Sequence, residues 1–280
     1  LDHFDFRDDH GFKTSLLRFK EAQKAYVEGR KIILGIEIDN AFIFNFRCRL
    51  PGATDDHSVD FEFAKDSMMI NRIYALIGRN GTGKTLYLAK MANSMSGLDP
   101  GGSFNSEFGP PFSKVITVSY SLFDKFKVPK KTKSFSYVYC GLRDQNDNLD
   151  ENTLSEKLKK AIIQLVKRDR YHLYLKYLEE LITNIFFLTD LEDNEDAIRS
   201  VDFNLLSQEY NLFSSGQTAL IYILAEIIAN IEKESLVLFD EPETHLHPNA
   251  IIKLVKVLNL LLKKFDSYAI LATHSPQIVQ

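Results

Sequence analysis

The amino-acid sequence predicts an α/β fold with a mainly parallel sheet, an N-terminal antiparallel β portion and an inserted helical region. Three observations carry this. First, IYALIG (73–78), VITVSY (115–120), LVLFD (236–240) and YAILATH (268–274) are short and nearly all apolar, as strands covered on both faces by helices must be. Second, helical stretches at 84–95, 217–231 and 249–264 follow three of these strands, the alternation that builds a parallel sheet. Third, the upstream stretches KIILGIEI, AFIFNFRCRL and VDFEFAK alternate apolar and polar residues with period two, the mark of antiparallel strands with one covered face. Asp39-Asn40 reads as the turn between the first two.

Between the second and third apolar strands, residues 151–190 are charged and apolar at helical spacing, which predicts two helices inserted on the sheet domain. The acidic stretch LTDLEDNEDA that follows reads as a surface loop. A start at Leu1 without methionine, and an end at Gln280 straight after a strand-like segment, read as part of a longer protein.

Composition narrows the function classes. A hydrophobic share of 45% and a charged share of 26% are those of an ordinary globular protein. With no run of eighteen uninterrupted apolar residues, nothing here spans a membrane by itself. The start, LDHFDFRDDH, lacks the basic and then apolar stretches of a secretory signal. Cys48 and Cys140 have no metal-site spacing and make no disulfide framework, which points to a reducing cytoplasm. The net charge of −4 leaves no nucleic-acid footprint over the whole chain, and Lys127–Lys133 (KVPKKTK) is the best local basic patch.

Chemistry concentrates at the strand ends. GRNGTGKT (78–85), directly after IYALIG, fits the phosphate-loop pattern GxxxxGK[ST]. Its glycines let successive backbone N–H groups of Asn80, Gly81, Thr82 and Gly83 turn inward on phosphate oxygens. Lys84 brings a compact positive charge to the outer phosphates, Thr85 offers its hydroxyl to Mg²⁺, and the helix that follows presents its positive end. Asp240 closes the buried strand LVLFD at the carboxyl edge of the sheet, where it would hold Mg²⁺ through water. Glu241, one residue on, is placed to take a proton from attacking water. His274, at the end of YAILATH, is placed to hydrogen-bond the γ-phosphate or that water. The cofactors this implies are ATP and Mg²⁺.

FSSGQ (213–217) stands at the head of the apolar stretch TALIYILAEIIANI. Taken alone, it is a serine N-cap on a buried helix. Taken with the other motifs in this order, it resembles the LSGGQ signature of the ABC-type ATPases, whose Walker A, Walker B and switch histidine GRNGTGKT, LVLFDE and THS are similar to. That resemblance implies an ABC-type ATPase head divided into an N-terminal part with Walker A (1–150), a helical insertion (151–200) and a part with signature, Walker B and switch histidine (201–280). It also implies that Ser214, Gly216 and Gln217 form half of a site completed by the nucleotide of a second molecule. Two departures stand out. Ser215 replaces the usual glycine, and no glutamine occurs between Thr85 and Arg143, which leaves Gln145 and SYSLFDKF (119–126) as candidates for the missing magnesium ligand.

DEPETHLHP, with His247 and Pro248, resembles the soluble branch of overcoming-lysogenization-defect and phage-defence ATPases. The interval from Thr85 to Phe213 is too short for the coiled coil of the SMC and Rad50 proteins. VITVSYSLFDKF and SYVYCGLRD are similar to the PtuA family, the ATPase subunits of Septu-type and retron-associated anti-phage systems. This resemblance implies a cytoplasmic homodimer or higher even-numbered homo-oligomer that controls an HNH-type, PtuB-like nuclease and, in the retron setting, meets a reverse transcriptase with its RNA–DNA product. Alternatives are an overcoming-lysogenization-defect ATPase-nuclease with a Toprim domain beyond residue 280 and a RecF-like repair ATPase. The stretches contain no HNH pattern and no two-metal carboxylate cluster outside the ATP site, so nuclease chemistry is not expected in this segment. For the adenine contact, Phe61 and Phe63 are candidates weighed against a core role.

Overall fold

Period-two and all-apolar segments sort into two sheets. The computed structural model describes residues 42–63, 72–98, 101–106, 109–121, 124–129, 137–143, 151–182, 214–244 and 246–278, with 11–16 and scattered positions between 22 and 35. In chain order these give β1 (Phe42–Cys48), β2 (His57–Phe63), β3 (Ile73–Ile77), α1 (Lys84–Ser96), β4 (Ser103–Phe104), β5 (Lys114–Ser119) and β6 (Tyr137–Gly141). Then follow α2 (Glu151–Lys167), α3 (Tyr171–Leu181), α4 (Ser215–Asn230), β7 (Ser235–Asp240), α5 (Pro248–Lys264) and β8 (Tyr268–Thr273).

β3, β8, β7, β5 and β6 lie side by side in that order, every pair parallel. All residues of β7 and β8 are buried, because both faces of the sheet are covered. Val237, Phe239, Ala269 and Leu271 face one way, into a core shared with α2, α3, α4 and α5. Leu236, Leu238, Ile270 and Ala272 face the other way, toward α1 and the aromatic side of β1 and β2. A three-stranded antiparallel sheet in the order β2, β1, β4 supplies that second layer. Phe42, Phe44, Phe46, Phe61 and Phe63 point inward from it while Ile43 and Arg47 face out. The α/β class, the mainly parallel sheet, the N-terminal antiparallel portion and the inserted helices therefore stand as expected for an ABC-type ATPase head.

α4 is apolar on almost every side, and eleven of its sixteen residues are buried. Such a helix must be surrounded. α2 and α3 pack on it from outside, with Leu158, Ile162, Leu165, Tyr174 and Leu178 fully buried, so the helical region belongs to the same core as the sheet. Full burial of each such side chain contributes on the order of 1.5–3 kcal/mol. The turn between α2 and α3 is pinned by Arg170, whose guanidinium donates to Ile228 O (2.9 Å) and Ile231 O (2.6 Å) at the C-terminus of α4. A cation at that end also offsets the negative pole of the helix.

One expected strand is corrected. Within KIILGIEI, Ile33 is helical and Leu34-Gly35 form a turn, with Gly35 at φ 65°. Ile33 is 84% exposed, so no sheet covers that apolar alternation, and the left-handed glycine ends any extended run there. The antiparallel partner of β1 is β2, in register from Phe42↔Phe63 to Cys48↔His57. The Asp39-Asn40 turn, LTDLEDNEDA, Gln145 and Lys130–Lys133 lie outside the described residues.

Candidate functional site

Strand register brings three of the four motifs to one edge. β8 lies between β3 and β7, and its pairings Ile77↔Thr273 and Asp240↔Ala272 end all three strands together. The phosphate loop leaves β3 at Gly78, Glu241 leaves β7, and His274 leaves β8, at the carboxyl edge where open α/β sheets bind ligands.

The loop has the backbone its sequence demands. Gly81 sits at φ 82° and Gly83 at φ 92°, a conformation side chains rarely adopt. A Cβ at Gly83 would also meet Leu50 Cδ1 at 2.8 Å, so Leu50 of the β1–β2 connection seals the loop from beneath. Asn80, Gly81 and Thr82 are exposed at the rim, where Thr82 Oγ1 donates to Arg79 O at 2.9 Å. Lys84 reaches back across the loop, its Nζ donating to Gly78 O (2.7 Å) and Arg79 O (3.2 Å). The N-terminus of α1, thirteen residues long, opens directly behind it.

The next residue joins the two halves of the site. Thr85 Oγ1 donates to Asp240 Oδ1 at 2.8 Å across 155 positions of sequence. Asp240 is 2% exposed, and burial pushes its carboxyl up to about 7 against that hydrogen bond, with the Glu241 and Asp124 carboxylates pushing the same way. A hydroxyl and a buried carboxylate facing each other amid negative charge are a donor set that fits Mg²⁺, whose remaining ligands are waters and phosphate oxygens. Glu241 follows at φ 47°, a left-handed conformation costing about 1–3 kcal/mol in a non-glycine residue. Its N–H donates to Ala272 O at 2.8 Å, which fixes the strained peptide to β8.

His274 is 45% exposed and has a partner that sequence reasoning missed. Glu243 Oε1 accepts from His274 Nδ1 (3.0 Å), the His274 backbone N–H (2.8 Å) and Thr273 Oγ1 (2.7 Å). The available signal was the second carboxylate of DEPETHLHP, three residues after Asp240. Asp124, within SYSLFDKF, was missed as well. Its buried carboxylate is ion-paired with Arg143 and accepts from Tyr139 at 2.7 Å, so it anchors the segment after β5 and adds its charge beside Asp240. Phe61 and Phe63 are fully buried against Phe44 and Tyr74, which excludes them as base contacts.

Ser214, Gly216 and Gln217 are not part of this cluster. Ser214 caps α4 in a reciprocal box, its Oγ accepting from Gln217 N–H (3.3 Å) while its own N–H donates to Gln217 Oε1 (2.9 Å). Ser215 is the exposed first helical residue. The N-terminus of α5 lies alongside, where His247 Nδ1 accepts from Asn249 N–H (3.4 Å) and Pro248 takes the first helical position. Between the two helix starts lies a cavity of about 460 Å³ lined by Ser214, Gly216, Gln217, His247, Asn249 and Lys253. Among the described residues no helix is long and apolar enough to cross a membrane, and no three His, Cys, Asp or Glu side chains gather as a metal group.

Fold and phosphate loop together are those of an ATPase-type domain. Residues 173–280 match the family model described as "AAA domain, putative AbiEii toxin, Type IV TA system". Protein ea59 of Escherichia phage lambda is 30% identical over 310 aligned positions, which take in 99% of this chain and 59% of that protein. Endonuclease GajA of Bacillus cereus (strain HuB5-5) is 27% identical over 182 positions (53% of this chain, 25% of that protein). Septu protein PtuA of Bacillus thuringiensis is 30% identical over 120 (36% and 30%). The chain thus spans 59% or less of the length of each of these relatives. Similar solved structures include an inward-facing metal-chelate type ABC transporter (17% identity, 85% of this chain and 75% of that chain, TM-score 0.43). Another is the ADP conformation of an ATP-binding cassette of an ABC transporter (15%, 85% and 83%, TM-score 0.42).

Proposed function

We propose that this chain binds and hydrolyses ATP as the sensor and regulatory subunit of an anti-phage defence complex, pairing head to head around nucleotide. The observation that carries the reading is the Thr85–Asp240 hydrogen bond at 2.8 Å, which joins phosphate loop and acidic strand end at one sheet edge. Backbone N–H groups of Asn80 to Gly83 and the Lys84 ammonium would hold the phosphates. Thr85 and Asp240 would hold Mg²⁺, which when bound neutralises charge on the outer phosphates. Glu241 takes a proton from the attacking water, and His274 faces the same water or the γ-phosphate.

Ser214, Gly216 and Gln217 then act on the nucleotide of a second copy. Two helix N-termini bordering one cavity favour an anion there, and the loop of the same copy is not among the lining residues. The similarity to Septu protein PtuA, added to the motif resemblance, supports an even-numbered cytoplasmic homo-oligomer. In that assembly the chain restrains a separate HNH-type, PtuB-like nuclease, and in a retron setting it also meets a reverse transcriptase and its RNA–DNA product.

A second reading rests on a different observation. Endonuclease GajA matches 53% of this chain while only a quarter of that protein is covered, which supports a single polypeptide whose nuclease portion lies beyond residue 280. Phosphate release from ATP by the purified protein tests the shared core of both readings. Glu241→Gln is expected to slow release by about 10² to 10⁴ while ATP binding persists. Equal rates in the two proteins would overturn the role of Glu241.

A further inference from the structure

The geometry points to Glu243 as the positioning residue of His274: its carboxylate fixes the proton on Nδ1 and turns Nε2 toward the nucleotide edge of the sheet. This rests on the ATPase reading above and adds to it a residue that the motifs do not assign.

The side chain of Glu243 is 7% exposed, and one oxygen, Oε1, takes all three donors that end β8: Thr273 Oγ1, His274 N–H and His274 Nδ1. Thr273 Oγ1 in turn accepts from Ser275 N–H at 2.9 Å, so the strand end is gripped on both sides of the histidine. The second oxygen, Oε2, is buried and makes no hydrogen bond among the described residues. A buried carboxylate that leaves half its acceptor capacity unused is an expensive way to tie a loop, which a threonine or asparagine would do at lower cost. What a carboxylate adds is direction. An ionised carboxylate only accepts, so the nitrogen it faces must carry the proton.

With Nδ1–H committed to Glu243, the neutral ring presents a bare Nε2 as acceptor, and a second proton would make Nε2 a donor backed by the carboxylate. Either way the same nitrogen faces outward from His274, one residue past the Ile77↔Thr273 pairing that starts the phosphate loop on the neighbouring strand. Glu241, the proton acceptor of the reaction, is a separate carboxylate whose Oε2 lies 3.5 Å from Thr244 Oγ1. Acid–base work and orientation are thereby divided between the two glutamates of DEPE.

The test uses the full chain with ¹⁵N-histidine labelling and the variants Glu243→Gln, His274→Ala and the double variant. In the unaltered protein without nucleotide, His274 is expected to show the Nδ1–H tautomer, and in Glu243→Gln, which keeps an acceptor oxygen for Thr273, a mixture of tautomers. In ATP hydrolysis, Glu243→Gln is expected to lower kcat about tenfold with KM changed less than twofold, and to have no further effect in the His274→Ala background. An Nε2–H tautomer in the unaltered protein, or full additivity of the two substitutions, would overturn the inference. Because the tautomer is read without ATP, an Nδ1–H signal in a protein that hydrolyses no ATP would refute the ATPase reading and leave the Glu243–His274 pairing standing.

Discussion

The start of α4 asks whether FSSGQ is a cap or half of an intermolecular site, and Ser214 lets the two be separated. Replacing it with alanine removes the hydroxyl that accepts from Gln217 N–H at 3.3 Å and leaves Gln217 Oε1 on the backbone N–H of residue 214. One half of the capping box is lost, at a cost of about 1 kcal/mol. For a chain of this size that lowers the unfolding midpoint by roughly 2 °C. Glycine at the same position restores most of the capping energy, since Ser→Gly at an N-cap costs only a few tenths of a kcal/mol. Neither variant has a hydroxyl to offer a phosphate. Thermal unfolding should therefore rank the proteins serine, glycine, alanine, whereas steady-state hydrolysis should fall about tenfold or more in both variants alike. Hydrolysis that follows the stability ranking, with glycine close to serine, would mean that Ser214 is a cap and nothing else.

Lys84→Ala should weaken ATP binding itself, because the ammonium that spans the loop to Gly78 O is gone; calorimetric titration with ATP and Mg²⁺ should show at least a tenfold rise in Kd. Glu226, buried in α4 and accepting from Tyr120 at 3.1 Å, has its carboxyl raised from 4.5 to about 7, chiefly by burial and against the pull of Lys157 and the Tyr120 hydrogen bond. The folded state thus holds a proton that the unfolded chain releases, so stability falls as pH rises from about 4.5 to 7, by up to about 3 kcal/mol. Glu226→Gln should unfold at nearly the parental temperature at pH 5 and several degrees higher at pH 8; equal shifts at both values would refute the assignment.

Much of the architecture is legible because burial leaves few choices. A strand such as SLVLFD, with every side chain buried, has no polar alternative, and the residue that ends it has to be the one reaching the edge. The phosphate loop is equally constrained by Gly83, where any side chain would strike Leu50. KIILGIEI misled because period-two alternation says nothing about whether a second layer exists to cover it, and Ile33 faces solvent. Glu243 was hidden for the opposite reason. Its role depends on a contact with His274 thirty-one positions away, made only once β7 and β8 lie side by side. Phe61 and Phe63 were offered as base contacts, yet the pleat of β2 turns both into the aromatic layer. His247, singled out for the string it belongs to, turns out to cap α5.

The central claim is that two copies close around nucleotide, and native mass spectrometry of the Glu241→Gln protein with ATP and Mg²⁺ tests it most directly. An assembly with an even number of ATPase chains and matching bound nucleotides, lost when Ser214→Arg is added, is the result the account predicts. A monomer that carries ATP and Mg²⁺ at concentrations saturating its own site would contradict it.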